Sequence, residues 1–285
     1  MNIDLHTHTT YSDGLLTPKE LIQCAVERKL AAVAITDHDE VAGIEEAVSM
    51  GQSLGIEVIA GIEISTLYKG LDVHVLGYFI DYKSKIIQDY IKKSKVWRKK
   101  RARKIVNKLH KMGIRLPFDL VLFKAGDGCI GRPHIADAMV EQGYVLSFQE
   151  AFEKYLADNK PAFVAKTQIE TREAISKIQS AGGLTFLAHP SVSLLEHHIY
   201  DIIKLGLDGI ETVHPRHTPF QVDQYREIVR KNGLLECGGS DTHGNRRGDE
   251  TLGTMNVPYE ILQEMKRKLR GEKNILLPNF QTELE

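Results

Sequence analysis

Short apolar runs alternate with amphipathic stretches along most of this chain, and polar residues gather where each run ends. Asn2–Leu5 and Ala31–Ile35 are the first two runs, and their length and composition predict buried strands. Between them, Thr17-Pro18-Lys19-Glu20 predicts a helix start: Thr17 caps, Pro18 takes the first helical position and Glu20 reaches back. Leu21, Ile22, Ala25 and Val26 then form one apolar face. A second helix is predicted over Gly43–Leu54, ended by Gly55, where left-handed backbone carries no Cβ penalty. Glu57–Ile64 and Asp72–Phe79 read as two more strands, and the gap between them is too short for a crossover helix, so a loop should join them.

After Asp81 the alternation breaks. One long helix is predicted over Ser84–Met112, followed by a mixed, helix-rich segment through Ala162. The rhythm returns with a helix at Thr171–Ala181, stopped by Gly182-Gly183, and a strand at Leu184–Leu187. A helix near Leu194–Leu205, a strand at Leu207–Val213, a helix near Phe220–Asn232 and a strand at Leu234–Gly238 complete it. The expected architecture is α/β: a barrel formed by residues 1–82 and 163–285, split by a helical insertion domain at 83–162.

Composition changes this picture little. A chain of 285 residues can bury one large barrel core, and 42% hydrophobic with 26% charged residues is ordinary for a soluble enzyme. A net charge of -1 argues against a generic nucleic-acid coat while leaving room for a local basic patch. No apolar run is long enough to span a bilayer and the N-terminal residues carry no signal-peptide pattern, so a cytoplasmic location is expected. Cys24, Cys129 and Cys237 form no paired framework, which suits a reducing cytosol, and they read as small buried or half-buried hydrophobes.

The chemistry sits at the strand ends. His6 and His8 follow the first run, Asp37 and His38 the second, His189 the strand before it, and Asp241 and His243 the last; Asp13, Glu63 and His74 lie on or beside the early strands. Polar ligands at the C-terminal ends of strands are how an α/β barrel builds an active site. A mixture of imidazole and carboxylate suits Zn²⁺, Mn²⁺ or Fe²⁺, so a metal-dependent hydrolase is expected. His110, His197 and His198 read as surface histidines, and His214 is open between a site role and merely shaping the mouth. Asp4 and Asp39 either hold ligand imidazoles or are simple turn carboxylates.

Taken in order, H-x-H (His6, His8) with S-D-G (Asp13), T-D-H-D (His38), G-I-E-I-S (Glu63), A-H-P (His189) and G-S-D-x-H (Asp241, His243) resemble the PHP (polymerase and histidinol phosphatase) family, over Asn2 to about Gly244. The resemblance implies a distorted seven-stranded β/α barrel that binds up to three divalent metals and hydrolyses phosphoesters. It implies that His6, His8, Glu63 and Asp241 hold one metal and that Asp13, His38 and His243 hold a second. Glu63 would bridge to a third, completed by His74 and His189. Mn²⁺ is the first expectation, with Zn²⁺, Fe²⁺ or Mg²⁺ as alternatives. Gly131–Ala136 (G-R-P-H-I-A) and Pro215-Arg216-His217 resemble the stand-alone members that hydrolyse 3′,5′-nucleotide bisphosphates and trim short 5′-phosphorylated RNA from its 5′ end. A phosphorylated nucleotide or short RNA is therefore the expected partner, with no membrane and no obligatory protein partner. The alternatives are a histidinol-phosphatase-like phosphomonoesterase and a non-catalytic metal-binding regulatory protein.

For that reaction a metal lowers the pKa of bound water from about 16 to about 7, so a metal-activated hydroxide attacking phosphorus is expected rather than a covalent serine or cysteine intermediate. Arg132 and Arg216 are the expected phosphate clamps, because guanidinium forks onto phosphate oxygens. His134 and His217 are expected to donate to phosphate or protonate the departing alkoxide. The run Lys92–Lys104 contains no acidic residue and repels itself, which an anionic partner would relieve, with Trp97 free to stack on a base. The plainer reading is a solvated helix whose Ile91, Ile105 and Leu109 pack on the barrel. Gly126-Asp127-Gly128 is either a lid hinge or a turn.

Overall fold

The computed structural model describes residues 1–192, 194–246 and 251–272, so the end of the expected second barrel segment, 273–285, lies outside the described residues. Eight strands form one sheet: β1 (Ile3–Asp4), β2 (Ala32–Ile35), β3 (Glu57–Tyr68), β4 (Leu71–Tyr78), β5 (Ile169–Glu170), β6 (Leu184–Leu187), β7 (Gly209–Val213) and β8 (Leu235–Gly238). Their order is β1-β2-β3-β4-β6-β7-β8, with the short β5 added against β3. β1 to β3 pair in parallel, β4 runs antiparallel to both neighbours, and β6 to β8 are parallel again. Beyond Asp4 the first strand continues as extended chain: Leu5 N donates to Gly238 O (3.1 Å) and His8 N to Thr242 O (3.0 Å), which brings the sheet round into a nearly closed seven-stranded barrel.

Alternation along the strands divides the core. Ala32 and Ala34 point inward with Ile3, Leu5, Ile59, Leu76, Tyr78, Phe186 and Cys237, while Val33 and Ile35 point outward beneath the helices. Both faces are covered, which is why Ala32–Ile35 reads as an unbroken apolar run rather than an alternating one. The helices on the outside are α1 (Pro18–Glu27), α2 (Ile44–Leu54), α7 (Thr171–Ser180), α8 (Glu196–Ile203) and α9 (Pro219–Asn232). α1 opens with the expected capping box, Thr17 with Glu20, and α2 ends on Gly55 at φ 74°.

The expected loop between the third and fourth strands is a tight hairpin turn, shorter than expected because both strands run further. β3 runs on through Thr66, Leu67 and Tyr68, and only Lys69-Gly70 turn the chain, at φ 49° and 84°. Positive φ at both turn residues suits the right-handed twist of the flanking strands, and the β-branched Thr66 and aromatic Tyr68 favour extended chain up to the turn. The consequence is functional, because the pairing puts Ser65 opposite His74 and so sets His74 on the same face as Glu63.

The segment between the barrel halves holds α3 (Lys85–Lys111), α4 (Phe118–Ala125), α5 (Arg132–Glu141) and α6 (Phe148–Ala151), the last continued by a wide turn over Phe152–Leu156. It has its own apolar core around Ile105, Leu109, Leu116, Ile135 and Met139. α3 belongs to both cores: Ile87, Tyr90, Ile91 and Trp97 pack with the barrel, while Ile105 and Leu109 pack inside the helical unit. Trp97 is thus half-buried against the barrel and is not the free stacking surface expected from sequence. One further helix goes beyond the elements expected from sequence: α10 (Tyr259–Leu269) contributes Ile261, Leu262 and Met265 to the barrel interior.

Candidate metal centre

Glu63, on β3, is the centre of the cluster and is wholly buried. Its Oε2 lies 2.8 Å from His38 Nδ1 and 3.3 Å from both His6 Nε2 and His8 Nε2. Its Oε1 lies 2.7 Å from His74 Nδ1 and 2.9 Å from His189 Nε2. A second carboxylate, Asp241, presents Oδ1 to His8 Nε2 (3.1 Å) and His6 Nε2 (3.6 Å). A third, Asp13, lies 3.3 Å from His243 Nε2 and 4.0 Å from His38 Nε2. All nine residues expected from sequence therefore converge, from strands and strand-end loops separated by as much as the whole barrel.

They group into overlapping sets of donor atoms: His8, Asp13, His38 and His243; His6, His8 and Asp241; His6, Glu63 and His189; and His38, Glu63 and His74. The expected three sets become four: His8 joins Asp13, His38 and His243, His6 joins Glu63 and His189, and His74 and His189 fall in different sets. His38 turns Nδ1 toward Glu63 and Nε2 toward Asp13, so it stands between two sets. Five buried atoms of this cluster, His6 Nε2, Asp13 Oδ1, His38 Nδ1, Glu63 Oε2 and His243 Nε2, find no hydrogen-bond partner among the described residues. They are near one another but not aligned to bond. Buried polar atoms without partners are costly, and a set of imidazole nitrogens and carboxylate oxygens left in that condition fits divalent cations.

The electrostatics point the same way. Burial pushes the His8 ring down, but hydrogen bonds and charge from Asp241 and Glu63 outweigh it and lift its pKa to about 10. Burial would raise Glu63, yet His38, His74 and His6 hold its carboxyl well below the usual range. In a protein without cations, protons on His6 and His8 offset part of the carboxylate charge, while burial pushes the His38 and His243 rings down.

Outer contacts orient these rings. Glu211, on β7, accepts from His6 Nδ1 at 2.8 Å and from His189 N at 2.7 Å, so that when the His6 ring is neutral its lone pair is at Nε2, toward Glu63 and Asp241. Burial would raise the Glu211 carboxyl, but His6 outweighs it and holds the group at about 2. His243 Nδ1 donates to Asp241 O (2.8 Å), which fixes its Nε2 toward Asp13. Asp37 accepts from Thr9 N (2.7 Å), Thr9 Oγ1 (2.7 Å) and Ser12 Oγ (2.5 Å), and so holds the loop that presents Asp13. Gly239 lets β8 pass the first strand, since a Cβ there would lie 2.3 Å from His6 N. His189 and Asp241 sit at φ 27° and 48°, a left-handed backbone that non-glycine residues rarely adopt and that recurs at functional sites.

Asp4 and Asp39 hold no imidazole. Asp4 accepts from Ser240 N (2.9 Å) and Gly253 N (2.8 Å), tying the strand-end loops together, because its register faces the β8 loop and not the rings. Asp39 takes Arg98 Nε at 2.8 Å and Ser65 N at 3.0 Å, and Tyr90 closes on it as well. His214 is buried, accepts from Arg216 N at 3.1 Å, and turns Nε2 to within 3.5 Å of Asp241 Oδ2. It stands inside the constellation rather than at the mouth.

Above the cluster opens a cavity of about 430 Å³, lined by Asp13, His38, His74, His189, Asp241 and His243 at its floor. Arg132 and Arg216 are in its wall. Arg132 reaches Asp158 (2.6 Å) and Leu156 O (3.1 Å) and lies over the Phe152 and Phe163 rings; Arg216 is exposed at the rim. His134 and His217 do not line it. His134 Nδ1 accepts from Gly131 N (2.9 Å), leaving an Nε2 proton to donate. His217 Nδ1 donates to Thr212 O (2.8 Å), so the neutral ring carries a lone pair at its buried Nε2 and has no proton to give there. The wall also contains Arg98 and Arg101, from the basic run expected to meet an anion, and Lys166 and Arg246, which were not expected. Arg98 and Arg101 were legible: with Ile87, Ile91, Ser94 and Ile105 they keep the spacing of one inward helix face.

Comparison with known proteins agrees with this geometry. The family profile for the PHP domain matches residues 4–165. A 5′-3′ exoribonuclease of Haemophilus influenzae is 35% identical over 245 residues, 84% of this chain and 89% of that protein. A 3′,5′-nucleoside bisphosphate phosphatase of Chromobacterium violaceum is 33% identical over 283 residues, 97% of this chain and 99% of that one. Among solved structures, a Bifidobacterium adolescentis protein described as a metal-dependent phosphoesterase superposes with a TM-score of 0.87 at 30% identity, covering 93% of this chain and 95% of its own.

Proposed function

This chain belongs to the PHP domain family, and from that premise we propose that it is a metal-dependent phosphoesterase that releases phosphate from 3′,5′-nucleotide bisphosphates and shortens short 5′-phosphorylated RNA from the 5′ end. The observation that carries this reading is the juxtaposition of two opposite environments. A floor of buried, partnerless imidazole and carboxylate atoms lies beneath a wall of Arg98, Arg101, Arg132 and Lys166. The floor suits cations and the wall suits phosphates.

His6, His8, Asp13, His38, Glu63, His74, His189, Asp241 and His243 would hold up to three divalent ions, with Mn²⁺ as the first candidate for this oxygen and nitrogen set. When bound, such ions polarise a phosphoryl oxygen and supply a nucleophile at neutral pH. The chain's own side chains do the rest. Arg132 keeps donors in reserve beyond those given to Asp158 and Leu156 O, since a guanidinium has five N–H groups, and it neutralises a phosphate from the wall. Arg216 does so from the rim, where its exposure lets it follow the ligand. His134 keeps an Nε2 proton to donate but stands outside the cavity lining, where its Nδ1 holds Gly131 N beside Arg132, and His217 acts only by holding the Thr212–Arg216 turn in shape. Three cysteines that form no disulfide fit action in a reducing cytosol, and among the described residues no helix is long and apolar enough to cross a membrane.

The test is phosphate release from a nucleoside 3′,5′-bisphosphate by metal-stripped protein resupplied with Mn²⁺, beside histidinol phosphate and a short 5′-phosphorylated RNA. His8→Ala serves as the control for contaminating phosphatase. Release from the bisphosphate that depends on His8 supports the reading. Faster turnover of histidinol phosphate would replace it with a small phosphomonoesterase, and turnover of none of the three would end it.

A further inference from the structure

The basic run of α3 divides by helical position. Arg98 and Arg101 face inward and reach the cavity, whereas Lys100, Lys104, Lys108 and Lys111 recur at spacings of three and four on the outer side and are all exposed. Lys108 donates to Phe163 O at 2.5 Å. Lys100, Lys104 and Lys111 have no acidic partner among the described residues. A second groove, of about 490 Å³, lies along this row, with Lys104, Asn107, Lys108 and Lys111 on one side and Phe163, Val164 and Ala165 on the other.

That short segment is the partition between groove and cavity. Arg101 Nε donates to Val164 O (2.8 Å) and the Arg132 guanidinium lies 5.7 Å over the Phe163 ring, and both arginines line the cavity. The next residue, Lys166, lines the cavity too. A linear anion whose end sits in the cavity therefore meets the lysine row directly across Phe163–Ala165. Resting on the phosphoesterase reading above, we propose that this lysine face and groove bind the 3′-ward part of a single-stranded RNA whose 5′ end occupies the cavity.

The chemistry selects RNA over other anions. Repeated single charges beside a half-buried aromatic ring match a backbone of phosphates carrying stackable bases. The row from Lys100 to Lys111 spans about 16 Å at 1.5 Å per residue, enough for several nucleotides and far beyond a mononucleotide. An acidic protein segment would satisfy the charge alone but would bring no phosphoester to the cavity. A bisphosphate reaches the cavity without needing the row, so the two substrates separate the two surfaces.

The experiment is the triple variant Lys100→Gln, Lys104→Gln, Lys111→Gln in the full chain. Binding of a labelled 5′-phosphorylated single-stranded RNA of about ten nucleotides to metal-stripped protein is read by anisotropy across a salt series. We expect affinity at low salt to fall about tenfold or more. The slope of log Kd against log salt should flatten by about 2, since each phosphate that is no longer neutralised removes about 0.7. Mn²⁺-loaded variant should turn over the bisphosphate like the parent protein, which also certifies its fold. Unchanged RNA affinity and salt slope would overturn the surface while leaving the phosphoesterase reading intact. Weakened binding of polyglutamate with RNA binding unchanged would overturn it in favour of an acidic protein partner. If the parent protein hydrolyses neither substrate but binds RNA through these lysines, the surface stands and the phosphoesterase reading fails.

Discussion

His6 and Glu211 are 205 residues apart in sequence, yet His6 Nδ1 lies 2.8 Å from Glu211 Oε1, both side chains fully buried. One bond decides which nitrogen of His6 keeps a lone pair, and so whether its Nε2 can serve as a ligand toward Glu63 and Asp241.

Glu211→Gln should therefore weaken divalent metal binding by about 10–100-fold, the usual cost of losing a carboxylate behind a ligand imidazole. Competition with a chromophoric chelator would measure it, with circular dichroism as the check on folding. An unchanged metal affinity would reduce Glu211 to an ordinary buried polar group.

Glu63 turns one oxygen to His6, His8 and His38 and the other to His74 and His189. Glu63→Gln should lower the number of metal equivalents bound, read by elemental analysis after gel filtration. It should also cost more activity than the roughly 10–100-fold of an outer partner such as Glu211. Full stoichiometry in the variant would refute a bridging role.

Metal removal should cost stability, since a ligand bound to the native state alone adds to it by mass action. Chelator-treated protein should melt at a lower temperature, and Mn²⁺ should restore the midpoint in a concentration-dependent way. Imidazole ligands must be neutral to bind, so metal affinity should weaken as pH falls; equal affinity at pH 6 and pH 8 would contradict an imidazole-rich site.

Arg132→Ala and Arg216→Ala each remove a charged donor from the cavity wall. A charge-assisted hydrogen bond contributes about 1.5–3 kcal/mol, so kcat/KM on the bisphosphate should fall by about 10–150-fold in each. Arg132→Lys should recover only part of this, because ammonium lacks the fork. If both alanine variants keep the parental kcat/KM, the clamp assignment is wrong.

Asp39 and Arg98 join the barrel to α3 through a buried ion pair. Burial would raise the Asp39 carboxyl, but Arg98 and Tyr90 hold it below its ordinary value. A depressed carboxylate adds stability above its unfolded pKa, near 3.9, and loses it as pH falls through the lower folded value. Asp39→Asn leaves Arg98 buried without its counter-charge and should cost about 3–5 kcal/mol at pH 7. The gap between variant and parent in urea denaturation should narrow below about pH 4; a gap constant down to pH 3 would rule out the ion pair as its source.

What is legible in the chain and what is not follow one rule. The Thr17 capping box, the Gly55 helix end, the buried run Ala32–Ile35 and the long helix α3 are legible because their physics is local. Ligands at strand ends are legible because each motif combines its residue type with its position after an apolar run. The hairpin at Lys69-Gly70 is not, because β3 runs past the apolar stretch that signals it. Arg98 and Arg101 belong by composition to an outward charge run, and only helical phase separates them from their neighbours.

By itself, then, the sequence determined the α/β alternation, the helical interruption after Asp81 and nine candidate ligands gathered at strand ends. Only the tertiary structure decided which ends are neighbours: that Glu63 lies at the centre, that His38 faces two carboxylates, that Glu211 stands behind His6 and that His214 stands beside Asp241. The reason is physical. A motif is written in a few consecutive residues, but the distance between two strand ends depends on strand order, register and closure of the sheet, which the whole chain settles together.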